Sequence, residues 1–179
     1  MKLKLEGKRI YLRRVTEADA NRTYLGWLND PEINRYLESR FKKQTLERLK
    51  AYIREITSSA ANLFLAIVLK DNERHIGNIK LGPIDNHHRL GDIGLIIGEK
   101  DCWGKGYASE AIQLLVDHAF KTLKLHKLTA GCYANNMGSA KAFIKVGFTE
   151  EGKLKSHYFC DGNYVDRICL GMTNPEEVK

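Results

Sequence analysis

Residues Gly94–Phe120 read GLIIGEKDCWGKGYASEAIQLLVDHAF. The stretch from Asp92 to Ile97 is apolar and short, which predicts a central strand. From about Tyr107 to Leu123, Ala111, Leu114, Leu115, His118 and Ala119 recur at helical spacing and predict the inner face of a long helix. Between the two lies a turn rich in glycine, Trp103-Gly104-Lys105-Gly106-Tyr107-Ala108. Glycine lets backbone approach a ligand closely, and a helix start presents unpaired N–H groups at the positive end of its dipole. Together they form an anion site suited to phosphate, to which Lys105 adds a point charge.

Working outward, Lys127 to Tyr133 reads as another strand. Ser139 to Val146 reads as a helix ended by Gly147. Phe148 to Gly171 reads as a hairpin turning at Asp161-Gly162. On the N-terminal side, Arg9 to Val15 alternates like a strand. Thr16 to Asp19 then opens a helix in the manner of a capping box, with Tyr24, Leu25 and Leu28 on its inner side. Asn29-Asp30-Pro31 stops that helix, and Pro31 is suited to begin a short second one. Thr45 to Ile56 is amphipathic through Leu46, Leu49, Ile53 and Ile56. Leu63 to Leu69 and Ile76 to Leu81 read as strands, and Pro83 to Arg89 as a loop. This order predicts an α+β fold, α/β in its central unit, around a mixed sheet. No repeat or linker interrupts it, so residues 1–179 are expected to form one domain.

Composition narrows the classes. Hydrophobic residues make up 43% and charged residues 28% of 179, ordinary for a globular protein. No apolar run reaches the ~20 residues that span a bilayer. Met1 to Glu6 lacks the apolar core of a signal peptide, and a cytoplasmic protein is expected. Cys102, Cys132, Cys160 and Cys169 are scattered without metal-ligand spacing, so no metal is expected and each cysteine reads as a small buried hydrophobe. The net charge is +7, and residues 1–60 hold 14 Lys+Arg against 8 Asp+Glu. That bias suits an anionic partner or an ordinary solvated surface. No helix-turn-helix, zinc module or aromatic platform supports direct nucleic-acid binding.

The turn admits three readings. A P-loop requires Ser or Thr after its Lys, and Lys105 precedes Gly106. A dinucleotide fingerprint follows its strand directly, whereas Glu99 to Cys102 intervene here. The third reading is the pyrophosphate loop of the GNAT acetyltransferases, and Cys102-Trp103-Gly104-Lys105-Gly106-Tyr107-Ala108-Ser109-Glu110-Ala111 resembles it, in the form found in the RimJ/RimL-like branch. A second block, Asn136-Met137-Gly138-Ser139 with Lys145-Val146-Gly147-Phe148, resembles the family's Asn-x-x-Ser and Lys-x-Gly-Phe. Leu28 to Pro31 and Gly162-x-Tyr164-x-Asp166 extend the resemblance over nearly the whole chain.

The resemblance implies a mostly antiparallel sheet splayed at the cofactor strand and flanked by helices. It implies acetyl-CoA as co-substrate and direct attack of a primary amine on the thioester in a ternary complex. Cofactor contacts would fall on Ile96, Ile97 and Gly98, on Trp103, Gly104, Lys105, Gly106, Tyr107, Ala108 and Ser109, and on Asn136 and Lys145. Asp92, eleven residues before Trp103, matches the strand position where the histone-acetylating branch carries its base; it reads equally as a strand-start Asp satisfying local backbone. The usual acid, a Tyr four residues before Gly-Phe, is Phe143 here. Ser139 is the substitute in RimL-like enzymes, or a helix-capping hydroxyl. His157 and Tyr158 are candidates for the acceptor pocket, and His87-His88 for nothing beyond a loop. The missing Tyr and the basic N-terminal third favour a weakly basic acceptor that is anionic overall: a protein N-terminus of the ribosomal-protein type or a nucleotide-linked amino sugar. Polyamines fit less well. A non-catalytic CoA-binding sensor shares the fold, and a homodimer is compatible with all of these readings.

Overall fold

The computed structural model describes residues 3–177. Eight strands form one sheet: β1 (Lys4–Glu6), β2 (Ile10–Arg14), β3 (Leu63–Leu69), β4 (His75–Asp85), β5 (Leu90–Ile97), β6 (Lys127–Tyr133), β7 (Thr149–Cys160) and β8 (Asn163–Thr173). Their order is β1-β2-β3-β4-β5-β6-β8-β7. Four helices accompany them: α1 (Arg22–Asn29), α2 (Leu46–Ser58), α3 (Tyr107–Lys121) and α4 (Met137–Ile144). The strand–helix–strand–helix unit is β5-α3-β6-α4. β5 and β6 run parallel, and every other paired neighbour among the described residues runs antiparallel.

Apolar patterning assigns each helix to a face. α3 and α4 bury Ala111, Ile112, Leu115, Val116, Ala119, Ala140 and Phe143 against Ile79, Leu81, Ile93, Leu128 and Ala130 of the sheet. The stripe on α3 is therefore rotated from the expected one: Ile112 and Val116 lie inside, while Leu114 and His118 lie at its border. On the opposite face, Tyr24 and Trp27 of α1 and Leu49 and Ile53 of α2 cover Tyr11, Phe64, Ala66 and Val68. β3 lies under both layers, which is why all seven of its residues are apolar and buried. The second layer stops short of β6 and β8, leaving that part of the sheet face open.

Three local expectations change. The capping box forms, with Asp19 accepting from the Thr16 N–H at 2.8 Å, but it closes one short turn, Glu17–Asp19. Arg13 takes the same carboxylate through two hydrogen bonds, and α1 starts afresh under Asn21, whose side chain accepts from Tyr24 N–H at 3.0 Å. Pro31 starts no helix. Asp30 Oδ1 accepts from the N–H groups of Glu32 and Ile33, holding a side-chain turn in competition with one. Pro83 opens no loop, because β4 runs through it to Asp85. The final hairpin turns where expected: Asp161 and Gly162 both have positive φ, 52° and 80°, which suits a two-residue turn.

Where α1 crosses the end of β5, the indole of Trp27 occupies the space a side chain on Gly98 would need. A Cβ there would stand 2.0 Å from the ring, whereas one on Gly94 meets nothing within 4 Å. Trp27 is also held by its Nε1 hydrogen bond to Glu99 at 2.9 Å. Gly98→Ala is expected to cost about 1–3 kcal/mol in chemical denaturation, the range of overpacked cores. Gly94→Ala is expected to be neutral or slightly stabilising in the same measurement.

Candidate active site

The site begins with a break in pairing. β5 and β6 pair only at Leu90↔Lys127, Gly91↔Leu128 and Asp92↔Thr129, and then separate. The cause lies on the other side of β5. Its register with β4 jumps from Leu81↔Ile93 to Ile84↔Gly91, so Gly82 and Pro83 together stand opposite Asp92. Two residues against one make a bulge, which bends a strand and increases its twist. A bulge also tolerates Pro83, which has no N–H to give the ladder. β5 leaves β6 after Asp92 while β6 stays with β8 through Tyr133, and a wedge opens between them.

Main-chain polarity decides what faces the wedge. Gly98 N–H donates to the Ile76 carbonyl at 2.8 Å, which fixes the phase of the β4–β5 ladder. By alternation the Ile96 N–H also points to β4, and the main chain of Leu95 and Ile97 faces the wedge. Of Ile96, Ile97 and Gly98, then, Ile97 is the residue with backbone in the opening. The Ile97 carbonyl accepts from Trp103 Nε1 at 2.8 Å, which pins the half-exposed indole to the strand end.

The glycine turn arrives next to it. Gly104 and Gly106 have φ of 71° and 81°, in the left-handed region, and Gly106 caps α3 without any side-chain bond to the helix start. The first intrahelical bond is Glu110 N–H to Gly106 carbonyl. The N–H groups of Tyr107, Ala108 and Ser109 therefore have no intrahelical acceptor, as an anion site requires. The Ser109 hydroxyl instead donates to the Ala142 carbonyl at 3.3 Å and ties α3 to α4.

Arg9 straps this turn to β2. Glu110 Oε1 accepts from the N–H groups of Arg9 and Ile10 at 2.7 and 3.2 Å, and Oε2 accepts from Arg9 Nε at 2.9 Å. Arg9 Nη1 donates to the Lys105 carbonyl at 2.8 Å, and its guanidinium lies 4.5 Å from the centre of the Tyr107 ring. Sequence reasoning missed this strap because its ends are 101 residues apart. The one available signal was Glu110, an acid in the first turn of a helix otherwise suited to bind anions.

Asp92 sits at the apex of the wedge, on the open face, where Thr129 Oγ1 donates to its Oδ2 at 2.8 Å. Burial pushes its carboxyl above the usual range, opposed by the Thr129 hydroxyl and the charges of Arg167 and Lys80. Ser139 is half-buried near the start of α4. Asn136 is the cap there, its Oδ1 accepting from Ser139 N–H at 3.3 Å, so the Ser139 hydroxyl is not the capping group. Lys145 lies exposed at the far end of α4. Phe143 is core, packed edge-to-face on Phe148 at 5.1 Å.

Across the wedge, Tyr133 ends β6 stacked on Tyr158, ring centroids 4.0 Å apart. Its hydroxyl donates to Glu38 at 2.6 Å and accepts from Arg40 Nη1 at 2.9 Å. Burial and Glu38 push that phenol up to about 12. His157 is exposed and meets Tyr158 edge-on. His87 and His88 are exposed, their N–H groups on Asp85 Oδ1, and no group of side chains suited to hold a metal occurs among the described residues.

A sheet forked between parallel strands, with an uncapped helix start beside the fork, is the arrangement of an acyl-CoA-dependent acyltransferase. Residues 9–149 match the family model described as an acetyltransferase (GNAT) domain. The chain is 29% identical to the uncharacterized N-acetyltransferase YoaA of Bacillus subtilis, over 97% of this chain and 98% of that one. It is 31% identical to the spermidine N(1)-acetyltransferase of Vibrio cholerae over 64% of this chain and 65% of that protein. Its fold matches Mycobacterium smegmatis RimJ, solved with CoA-disulfide, at a TM-score of 0.83 and 21% identity, covering 99% and 90% of the two chains. The chain belongs to the GNAT acetyltransferase family. It is an N-acetyltransferase, and acetyl-CoA is its co-substrate.

Gly106→Val leaves room for the side chain, since a Cβ would meet only Arg9 Nη2 at 3.5 Å, but it strains a positive φ. Calorimetric titration is expected to show CoA affinity falling at least tenfold while the fold persists. Arg9→Ala is expected to raise the KM for acetyl-CoA several-fold with kcat little changed, because it loosens the turn without touching the wedge.

Proposed function

We propose that this chain acetylates a weakly basic primary amine that enters from the open sheet face, above the wedge between β5 and β6. The observation that carries this reading is the fork that opens beyond Asp92, whose far end at Ile97 is tied through Trp103 to the glycine turn and the free N–H groups of α3. In it the pyrophosphate rests on Gly104 to Ser109 with Trp103 and Lys105 beside it, while Asn136 and Lys145, at opposite ends of α4, are assigned to different parts of the cofactor. The thioester lies along Ile97, whose N–H is turned to receive developing negative charge. Asp92, five residues back along β5 from Ile97, takes the amine proton through intervening water. Its raised carboxyl suits a base, since a higher pKa means stronger proton affinity. The coenzyme A thiolate, with a pKa near ~8.5, leaves with little help, so a buried Phe143 in the acid's place is tolerable; Ser139 is the proton donor assigned here.

The acceptor assigned is a protein N-terminus or a nucleotide-linked amino sugar, in keeping with the RimJ/RimL-like form of the turn. Support comes from an open groove between the α1–α2 connection and the tip of the β7–β8 hairpin, lined by Lys42 and Lys43 together with Arg40 and the Arg35–Asp161 pair. Such a lining favours an anionic acceptor and disfavours a polycation. A polyamine acceptor is the second reading, favoured by the spermidine acetyltransferase among the relatives. The single-domain reading of residues 1–179 is supported by the one continuous sheet, and a cytoplasmic site is assigned with it; no helix of the described residues is long and apolar enough to cross a membrane.

Thiol release from acetyl-CoA, followed across N-terminal peptides, amino-sugar nucleotides and spermidine, tests the assignment. Release with the first two groups is expected; release with spermidine alone would transfer the reading to polyamines. CoA binding without release for any amine would make the chain a sensor. For Asp92 the active form is ionised, so kcat/KM is expected to rise with pH through a pKa above the ordinary carboxylate value of ~3.9. Asp92→Asn is expected to lower kcat about 10²-fold or more and to erase that limb; a limb left in place would remove Asp92 as the base.

A further inference from the structure

On the open face near Asp92 stands one arginine whose side chain has no hydrogen-bond or ion-pair partner among the described residues. Arg167 belongs to β8, where its Cα pairs with Tyr133 of β6. Its side chain does not stay there. It leans back over Gly131, where a Cβ would stand 2.6 Å from Nε and 2.7 Å from Nη2. Gly131 lies two residues before Tyr133 and two after Thr129, the residue that holds Asp92. The absence of a side chain at Gly131 is what lets the guanidinium lie along β6 toward the wedge apex.

The contrast with neighbouring arginines is chemical. Arg13 is paired with Asp19, Arg35 with Asp161, and Arg40 with carbonyls and Tyr133, while Arg74, whose Nε also lacks a partner, still has Asp101 on its Nη2. Arg167 Nε is buried with no hydrogen-bond partner, and among the described residues no carboxylate forms an ion pair with Arg167. Burying part of a guanidinium without an acceptor is costly, and a planar fork of donors matches carboxylate or phosphate oxygens. Asp92 feels the charge of Arg167 but forms no ion pair with it, and its Oδ2 accepts from Thr129.

Resting on the proposed transfer reaction, we infer that Arg167 is the residue that selects the acceptor, binding a carboxylate or phosphate group carried a few bonds from the reacting amine. Two residues of strand separate its anchor from the Asp92 level, about 7 Å, so an amine at Asp92 and an anionic oxygen at Arg167 fit one small molecule or one terminal residue. A polyamine offers Arg167 nothing to bind.

Matched acceptors test this. Glucosamine 6-phosphate is compared with glucosamine, and an Asp-first tetrapeptide with its Asn-first counterpart, by kcat/KM from thiol release. The wild type is expected to prefer the anionic member of at least one pair; which pair identifies phosphate or carboxylate. In Arg167→Met that preference is expected to shrink at least tenfold, and in Arg167→Lys to return in part, with acetyl-CoA affinity unaltered in both as a check on folding. A wild type indifferent within both pairs overturns the inference while leaving the transfer reaction standing, as does a preference that survives in Arg167→Met. A wild type that releases thiol with no amine removes the transfer reading itself, and this inference with it.

Discussion

The site depends on one register shift. Gly82 and Pro83 set two residues of β4 against the single Asp92 of β5, at the residue where the β5–β6 pairing ends. Beyond Asp92 the main chain of Ile97 is left unpaired toward β6, and that is the opening. The same residue therefore marks the end of the ladder and the apex of the wedge. A carboxylate placed at such a point sits under the lip of the sheet, which explains why burial dominates its titration.

The two faces of the sheet carry different tasks. The face under α3 and α4 is sealed with apolar side chains and supplies the rigid floor from which the α3 start projects. The other face is roofed by α1 and α2 over β2 to β4 and the end of β5, and the portion they leave is polar: Asp92, Thr129, Arg167 and the buried Tyr133. Contacts reach this bare portion from distant segments, through Glu38 and Arg40 on one side and the stacked Tyr158 on the other.

What the sequence made legible is whatever depends on neighbours within a turn or two. The run from Asp92 to Ile97, the glycines at 104 and 106 and the helix after them needed no distant partner to be read. Leu63 to Leu69 and the Asp161-Gly162 turn were equally plain. Pro83 was misread as a loop because a bulge and a loop begin with the same residues and differ only in what lies across the sheet. The segment after Pro31 was misread because Asp30, rather than proline, sets its course. Arg9 with Glu110, Tyr133 with Glu38, and Arg167 over Gly131 join residues far apart in the chain, and no local pattern announces them.

The strap from Arg9 to the α3 start has a thermodynamic consequence. The first residues of β2 and the glycine turn share one set of hydrogen bonds, so order in one is order in the other. Whatever anion settles on the α3 N–H groups binds the strapped form, and by linkage it draws the N-terminal strands into place with the same free energy that their order lends to binding. The edge of the sheet, remote from the chemistry, thereby becomes a reporter of occupancy.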